Sequence, residues 1–391
     1  MGFSKVFKDL VERKERAESG KYNCIPFPFP RFRSLVPGIE RGRYVCITAS
    51  AKIGKSKFCD FMFVYEPLFF AIDNPQFRFK VIYFTLEVNA ETKYLEFLSH
   101  LLYRLDNIVV SPVDLRSVNN EKPISQNVLD LLNTEKYQKY IKFYEEHIEY
   151  IDTIANPTGI NKYCRDYAEK NGKFNHIPYK TTNEVTGEEE TRMKLDPDNP
   201  YTPNDEEEYR IVIIDNAANL TTEKGLTMRE TIDKMSKYCI TLRNQLNYIM
   251  VLVQHQSLAA ESLDAMKMDA MKPSAANLGD AKTVVRDINM LIGLYSPFKH
   301  NKKEFSGYDI TKLKNYSRFM EIIDDRDYGA NNNICPLFFN GASSFWAELP
   351  RPEDTQALNA VYSYIDSLEQ KRKEKTFFLK IFSKFRFKRN K

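Results

Sequence analysis

The sequence predicts an α/β fold in which a mostly parallel central β-sheet is flanked by helices. Three observations predict it. Short apolar stretches typical of buried strands recur along the chain, helical patterns separate them, and the first of these strands runs into a glycine-lysine-serine loop that opens a helix. Strands that alternate with helices form parallel sheets, and such a loop at a strand end is a common way for these sheets to bind phosphate.

Length and composition limit the classes of protein to consider. A chain of 391 residues forms either one large core with appendages or two modest domains, because single cores stop growing at roughly 250 to 300 residues. We take one α/β core with extensions as the simpler organisation. The hydrophobic content of 42% excludes a chain that is disordered throughout. No apolar run approaches the ~18 residues of a membrane span and no secretory signal precedes the core, so we expect a cytoplasmic protein.

Charge and cysteine content add two further expectations. Residues 371–391 contain ten Lys and Arg against Glu374 alone, so the net charge of +4 originates in this tail and the rest of the chain is acidic overall. The core therefore has no general attraction for nucleic acid. The six cysteines are scattered without a CxxC pair or histidines at zinc-ligand spacing, which predicts reduced, mostly buried thiols.

The N-terminal segment is predicted to be a short amphipathic helix over residues 3–18 that stops near Gly20. Its apolar residues recur at helical spacing: Phe3, Val6, Phe7, Leu10 and Val11. Two interpretations are open, an ordinary helix packed on its own core or a helix that docks on a neighbouring subunit. The proline-rich stretch 25–32 then serves as a linker.

The core of the pattern is a series of apolar strands. They are predicted at 44–48, 81–86, 211–214, 249–253 and 290–295. A helix over residues 57–70 follows the first strand. Polar side chains at the carboxyl ends of successive strands are what an open parallel sheet uses to line its ligand crevice.

The connection between the second and third strands, residues 104–208, is long for a crossover. Helical patterning covers residues 126–150. Residues 181–208 carry ten acidic residues against Arg192 and Lys194, with few apolar side chains. We expect this piece to be a mobile surface loop without chemistry of its own.

The residues that carry chemistry begin with a phosphate-binding loop. Such a loop needs inward backbone N–H groups, a lysine that reaches the β- and γ-phosphates, and a hydroxyl for magnesium. The predicted loop consists of Ala49, Ser50, Ala51, Lys52, Ile53, Gly54, Lys55 and Ser56. Ala49 stands where the motif usually has its first glycine, so a chance Gly-Lys-Ser at a helix start is the alternative. The position between a buried strand and an apolar helix favours the functional interpretation.

Two carboxylates end strands of the same predicted sheet. Asp215 follows the third strand, where it can hold magnesium through water, and its alternative is an ordinary turn former. Glu87 follows the second strand, where it can polarise an attacking water as a general base. Its alternative is a helix N-terminal carboxylate.

Three further side chains are candidates. Gln256, beyond the fourth strand, can sense a γ-phosphate through its amide, and His255 competes for that role. Arg326 lies near a Gly/Asn-rich turn between two predicted strands. An arginine donated across a subunit boundary can stabilise transition-state charge, whereas the alternative is a surface ion pair with a neighbouring aspartate.

These motifs together resemble the ATPase domain of the DnaB-type replicative helicases, in the RecA-like superfamily. The resemblance covers about residues 20–350. Members of that family often have alanine at the position of Ala49. The segments that match are FTLEV (84–88), IVIIDN (211–216), VLVQHQS (251–257), the stretch 273–297 and the C-terminal hairpin at 322–339.

The resemblance implies an ATP-dependent motor. Lys55 would contact the phosphates, Ser56 and Asp215 would hold Mg²⁺, and Glu87 would be the general base. Gln256 would couple the nucleotide state to the DNA-binding loops, and Arg326 would reach the neighbour's γ-phosphate. We expect a homo-hexameric ring that translocates on single-stranded DNA and unwinds forked duplex DNA during replication.

The chain also departs from the family pattern. Asp324 stands where a lysine normally accompanies the arginine. The loop 258–282 has only three basic residues, Lys267, Lys272 and Lys282. The family's N-terminal helical domain is not expected ahead of the Phe3–Val11 helix, which would match the family's linker helix.

Two other functions remain open alongside the helicase. One is a RecA-like ATPase without unwinding activity, such as a recombination mediator or a switch protein. The other is a non-catalytic ATP-binding interaction protein. The predicted organisation is a docking helix (1–20), the ATPase domain (21–350), a C-terminal helix (351–375) and a basic aromatic tail (376–391). The tail suits nucleic acid, a membrane surface or a partner protein, or serves as a disordered solubilising segment.

Overall fold

The structure is a computed structural model that describes residues 3–120, 123–182, 186–257, 271–278 and 283–386. Its strands there are β1 (Ile25–Pro26), β2 (Gly38–Ile39), β3 (Tyr44–Ala49), β4 (Arg78–Thr85), β5 (Ile148–Ile151), β6 (Gly172–Phe174), β7 (His176–Thr182), β8 (Glu189–Leu195), β9 (Tyr201–Pro203), β10 (Glu208–Asp215), β11 (Ile249–His255), β12 (Met290–Tyr295), β13 (Glu304–Phe305), β14 (Tyr308–Asp309), β15 (Ser317–Asp325), β16 (Ile334–Asn340) and β17 (Phe345–Glu348).

The helices alternate with these strands through most of the core. In the described residues they are α1 (Phe3–Glu18), α2 (Pro30–Arg33), α3 (Lys55–Asp60), α4 (Glu66–Asp73), α5 (Ala90–Asp106), α6 (Pro112–Leu115), α7 (Gln126–Leu132), α8 (Glu135–His147), α9 (Pro157–Lys170), α10 (Met228–Leu246), α11 (Val284–Asp287), α12 (Ile310–Leu313) and α13 (Thr355–Arg386).

A central sheet of nine strands in the described residues organises the molecule, in the order β17-β16-β15-β12-β3-β11-β10-β4-β5. The strands from β12 to β5 are parallel, and β15, β16 and β17 continue the sheet as antiparallel strands. The parallel strands are near-continuous apolar runs because helices cover both faces. The predicted α/β class with a mostly parallel sheet and a C-terminal hairpin is confirmed.

The register of the sheet brings four strand ends to one edge. Thr85 pairs with Asp215, and His255 pairs with Ala49. Leu294 of β12 is also level with Ala49. The carboxyl ends of β4, β10, β11 and β3 therefore meet along a single line, which is where an open α/β sheet binds its ligand.

The strands and helix predicted around the loop form with shifted boundaries. The strand predicted at 81–86 is Arg78–Thr85, so Glu87 lies two residues beyond its end. The helix predicted at 57–70 runs from Lys55 to Asp73, with a π-helical turn at Phe61–Tyr65. Apolar periodicity shows that a helix exists but does not mark its first residue.

The acidic stretch 181–208, expected to be a loop, contains regular structure instead. Strand β7 pairs with β8 as an antiparallel ribbon, and β9 pairs with β6. Part of the acidic charge after these strands is paired with basic residues of other segments. Asp205 accepts two hydrogen bonds of 2.6 Å from Arg78, and Glu207 pairs with Arg16.

Of the first and last helices of the chain, α1 and α13, only α1 has the bounds that the sequence predicts. Helix α1 matches the predicted range, and its apolar side chains remain exposed: Phe3, Val6, Phe7, Leu10 and Val11. Helix α13 continues to Arg386, beyond the predicted boundary at 375. The last five residues of the predicted tail lie outside the described residues. Among the helices of the described residues, none combines the length and the apolar composition of a membrane span.

Candidate active site

The phosphate loop leaves β3 at Ala49 and enters α3 at Lys55. Gly54 has φ 107°, a conformation that favours glycine. A Cβ atom at this position would lie 3.2 Å from the ring of Phe339, which stacks on Trp346 at 4.1 Å between centroids. The backbone conformation therefore favours glycine, and a side chain at this position would also crowd the ring of Phe339.

Two side chains far along the chain hold carbonyl groups of this loop. Arg318 donates from Nε to the carbonyl oxygen of Ile53 at 2.8 Å, and Lys299 donates to the carbonyl of Ala51 at 3.0 Å. The side chain of Arg318 is buried, and burial lowers the pKa of its guanidinium to about 10. It remains charged at neutral pH. Sequence analysis did not identify Arg318, and its position 265 residues from Ile53 explains why.

Lys55 is buried at the start of α3. Its ammonium group lies 3.3 Å from the carbonyl oxygen of Ser50 and 3.0 Å from Nδ1 of His255. Because an ammonium group only donates, Nδ1 of His255 accepts and the imidazole is neutral. Burial, followed by the positive charge of Lys55, lowers the pKa of His255 below its usual value.

Ser56 and Asp215 meet as the sequence predicts. The Ser56 hydroxyl donates to Oδ1 of the buried Asp215 carboxylate at 3.1 Å. Tyr83 donates to the other oxygen, Oδ2, at 2.8 Å. A hydroxyl and a carboxylate are the oxygen donors that Mg²⁺ prefers beside a nucleotide, so this pair fits that ion.

Glu87 is exposed at the rim of the site, and Asn216 holds it. The Asn216 amide donates to Oε2 of Glu87 at 2.7 Å and lies 3.3 Å from Nε2 of His255. The side-chain oxygen of Asn216 accepts from the N–H of Ala218, which sets the orientation of the amide. The helix N-cap is Asn89, so Glu87 does not cap α5.

Gln256 points away from this cluster. Its amide donates to the hydroxyl of Thr48 at 2.8 Å and contacts the carbonyl of Ser274 at 3.4 Å. It thus links the strand before the phosphate loop to the segment after residue 270. His255, the competing residue in the sequence analysis, is the one that faces Lys55.

Arg326 lies at the opposite edge of the sheet. Met320 is level with Leu294 and hence with Ala49. Strand β15 runs away from that edge, so Arg326 lies six residues further on, about 20 Å at ~3.3 Å per residue. Its guanidinium contacts the carbonyl oxygens of residues 285 and 286. Arg326 cannot reach the phosphate loop of its own chain.

Two of the aspartates around Arg326, Asp325 and Asp327, have other partners. Asp327 pairs with Arg43 at 2.9 Å. Asp325 accepts from three backbone N–H groups of the following turn. Asp324 is half-buried opposite Leu291. The surface ion pair considered as an alternative for Arg326 is therefore not what the described residues show.

A buried ion pair lies behind Asp215 and was missed from the sequence. Lys93 contacts both carboxylate oxygens of Asp60, at 2.9 and 3.0 Å. Burial lowers the pKa of Lys93, but Asp60, Asp215 and Glu96 together raise it above its usual value. A signal was present, since Asp60 is the single charge in the otherwise apolar run 58–65.

A cavity of about 620 Å³ is lined by residues of the segments 107–114, 315–316, 339–342 and 368–369. Phe339, the ring behind Gly54, forms part of its wall. Gly341 forms another part, and its carbonyl accepts from Lys57 at 2.9 Å. The other lining residues are of mixed character: Val109, Ala342 and Leu368 are apolar, Asp114 and Glu369 are acidic, and Asn107, Ser111, Asn315, Tyr316 and Asn340 are polar.

The predicted DNA-binding loop falls mainly outside the described residues, since 258–270 and 279–282 belong to it. Lys267 and Lys282 are therefore not placed. Lys272 is placed, with its ammonium 3.9 Å from Glu321.

Comparisons with known proteins agree on the fold. One solved ATPase domain superposes with a TM-score of 0.62 at 14% identity, covering 88% of this chain and 99% of that one. A DnaB-like replicative helicase, studied with its interactions with primase, gives a TM-score of 0.58 at 14% identity, covering 87% of this chain and 66% of that one. No protein-family model and no curated protein matches the chain. The core thus has the RecA-like fold of these ATPase domains, as the sequence predicts.

Proposed function

We propose that this protein is an ATP-dependent DNA helicase of the DnaB type, a ring-forming motor that hydrolyses ATP between subunits. One observation carries the proposal. Lys55, Ser56, Asp215 and Glu87 lie together at the carboxyl edge of the parallel sheet, where His255 contacts Lys55 and Asn216 holds Glu87. A phosphate-binding lysine, a pair of metal-ligand oxygens and a general base are the parts that nucleotide hydrolysis needs.

Each residue has a role that follows from its contacts. The loop 49–56 would hold the β- and γ-phosphates, and Lys55 would exchange His255 for a phosphate oxygen. Ser56 and Asp215 would hold Mg²⁺, which neutralises phosphate charge when bound. Glu87 would accept a proton from the attacking water while Asn216 keeps its carboxylate in place.

The cavity that includes Phe339 suits the nucleobase. Phe339 lies behind the glycine of the phosphate loop, and the wall also carries Tyr316, three asparagines and the carboxylates of Asp114 and Glu369. Aromatic rings stack on bases, and side-chain amides pair with their edges. We assign the base of ATP to this cavity.

Two features support assembly into a ring. Arg326 lies about 20 Å from its own phosphate loop by strand geometry, so it can act on a phosphate only in a neighbouring subunit. The apolar side chains of α1 are exposed in the single chain, with Phe7 64% and Leu10 57% accessible. This exposure favours the docking interpretation of α1 over packing on its own core. A homo-hexamer satisfies both.

The DNA ligand is proposed from the fold and from Gln256. In the DnaB-type family that the sequence resembles, the matching glutamine couples the nucleotide state to the DNA-binding loops. Its contacts with Thr48 and Ser274 join the strand that carries the phosphate loop to the segment that follows the predicted DNA loop. We assign single-stranded DNA to the ring's interior, with forked duplex DNA as the unwinding substrate.

A RecA-like ATPase without unwinding activity is the second candidate. Asp324 favours it, because an acidic residue replaces the second cation that the family brings to the neighbour's phosphate. A non-catalytic ATP-binding protein is the third candidate. The hydrogen bond between Asn216 and Glu87 argues against it, since a scaffold has no use for a held general base.

The test is ATP hydrolysis with and without single-stranded DNA, alongside strand displacement on a forked duplex. DNA-stimulated hydrolysis with displacement is the expected result, and Lys55→Ala should abolish both. Hydrolysis without displacement, under conditions where rings form, would overturn the helicase and select the second candidate. Nucleotide binding without hydrolysis selects the third.

A further inference from the structure

A line of buried polar side chains runs from Asp215 into the core, away from the phosphate loop. Oδ2 of Asp215 accepts from the Tyr83 hydroxyl at 2.8 Å. The Tyr83 hydroxyl oxygen lies 3.0 Å from the ammonium of Lys93, and Lys93 in turn contacts Asp60. Tyr83, Lys93 and Asp60 are each at most 1% exposed.

The direction of each hydrogen bond in this line follows from which groups can donate. The ammonium of Lys93 can only donate, so the oxygen of Tyr83 accepts from it. The hydroxyl proton of Tyr83 then points to Oδ2 of Asp215. A hydrogen bond to a carboxylate is stronger than a neutral one, and the adjacent cation polarises the tyrosine further.

The two carboxylate oxygens of Asp215 therefore have different neighbours. Oδ2 is held by Tyr83 on the core side, with Lys93 at 3.7 Å. Oδ1 is on the side of Ser56, at 3.1 Å from its hydroxyl. The carboxylate is thus prevented from rotating, and one defined oxygen faces the place where the phosphates bind.

The buried charge of Lys93 is offset locally. An unpaired ammonium in the core would cost several kcal/mol, and Asp60 meets it with both oxygens. Packing alone does not call for such a pair, because well-packed apolar residues of similar volume often serve equally well. The pair stands where it can act on Asp215 through Tyr83.

We propose that Tyr83 and Lys93 are positioning residues that orient Asp215 for the magnesium ion of the bound nucleotide. The proposal rests on the proposed function, because it assumes that a magnesium nucleotide occupies the site. It assigns a role to residues on β4 and α5 that lie outside the phosphate loop and act on the nucleotide site through Asp215.

The test compares Tyr83→Phe with Tyr144→Phe in the full chain. Both substitutions remove one buried hydroxyl. The Tyr144 hydroxyl bonds to that of Tyr150 at 2.5 Å rather than to Asp215. Binding of fluorescent ADP is titrated with Mg²⁺ and repeated in EDTA. We expect the half-saturating Mg²⁺ concentration to rise about fivefold to tenfold in Tyr83→Phe, equivalent to ~1 to 1.4 kcal/mol, with metal-free binding unchanged. Tyr144→Phe should match wild type in both.

A second variant guards against a folding effect. Lys93→Met combined with Asp60→Asn removes both charges together, so no uncompensated ion stays buried. Its Mg²⁺ requirement should rise at least as much as that of Tyr83→Phe. Equal Mg²⁺ titrations for Tyr83→Phe and Tyr144→Phe, or an equal loss of binding with and without Mg²⁺, would overturn the positioning role alone. Absence of nucleotide binding by wild type would instead overturn the proposed function.

Discussion

Arg318 donates from Nε to the carbonyl oxygen of Ile53 at 2.8 Å, and so ties the antiparallel part of the sheet to the phosphate loop. Its guanidinium also bonds to the carbonyls of Asn315 and Ser317. All of these bonds go to neutral oxygens rather than to a carboxylate. The loop conformation therefore depends on a side chain from the far end of the chain.

Replacing Arg318 should loosen the phosphate loop. In Arg318→Met the carbonyl of Ile53 loses its buried donor, a loss worth about 1 to 3 kcal/mol. We expect nucleotide affinity to fall about tenfold, which corresponds to ~1.4 kcal/mol. Arg210→Met is the control. Arg210 is also buried, but it pairs with Glu208 at the amino end of β10, whereas the candidate site lies at the carboxyl end of that strand. Isothermal titration with ADP should show weaker binding for the first variant only.

Subunit mixing should reveal the direction in which Arg326 acts. Arg326→Ala and Lys55→Ala subunits should each be inactive alone. In a mixed ring, the intact Arg326 of a Lys55→Ala subunit can face an intact phosphate loop of its neighbour. Hydrolysis should therefore reappear on mixing and pass through a maximum near equal amounts. Flat, background hydrolysis at every ratio would contradict action between subunits.

Substitution in α1 should affect assembly without affecting the fold. Phe7 is 64% exposed, so Phe7→Glu leaves the core of the protomer intact. A buried phenylalanine contributes about 1.5 to 3 kcal/mol, and its loss from each subunit contact should dissociate the ring at micromolar concentration. Met193→Glu is the control, at 61% exposure on the β7–β8 ribbon. Sedimentation velocity reports the assembly and thermal unfolding reports the fold. Equal sedimentation of both variants would show that α1 makes no subunit contact.

His255 and Gln256 should affect different steps. His255→Ala removes the side chain that lies next to Asn216, whose amide holds Glu87, so we expect basal kcat to fall about tenfold or more. Gln256→Leu removes the link between Thr48 and Ser274, so we expect stimulation by single-stranded DNA to fall further than basal turnover does. Steady-state hydrolysis with and without DNA measures both. Identical stimulation in Gln256→Leu and wild type would exclude the coupling role.

His100 should make stability fall in mild acid. Burial lowers the pKa of His100 to about 3, against the histidine value near 6.5 in the unfolded chain. Between these values the unfolded state binds the extra proton. Protonation of His100 therefore leaves the free energy of unfolding almost unchanged above pH 6.5 and lowers it as pH falls from 6.5 towards 3. At pH 5 the loss should be about 2 kcal/mol.

The measurement is the free energy of unfolding in urea at pH 7 and pH 5. His100→Phe is the comparison, because a phenyl ring can keep the stack on Tyr65, whose ring centroid lies 4.5 Å away. The variant lacks the titrating group, so its stability should fall by about 2 kcal/mol less over the same interval. Equal falls in both proteins would place the acid sensitivity elsewhere.

The sheet and the phosphate loop could be predicted from the sequence because their signals are local. The apolar run 211–214 followed by Asp215 marks a buried strand and its functional end within five residues. Gly54, Lys55 and Ser56 lie side by side. The prediction of a loop at 181–208 was wrong. Its acidic residues look solvated in the sequence, but in the folded chain Glu207 pairs with Arg16 and Asp205 pairs with Arg78.

What the sequence determined by itself was the set of parts: the α/β class, the phosphate loop, and the carboxylates at the strand ends. Tertiary structure decided how the parts are held and which face the site. It placed His255 rather than Gln256 beside Lys55, Arg326 at the far edge of the sheet, and Arg318 and Lys93 behind the site. The physical reason is the distance along the chain over which each interaction acts. Strand and helix periodicity act over a few residues, whereas a hydrogen bond such as that between Arg318 and Ile53 joins residues 265 positions apart and exists only once the sheet has formed.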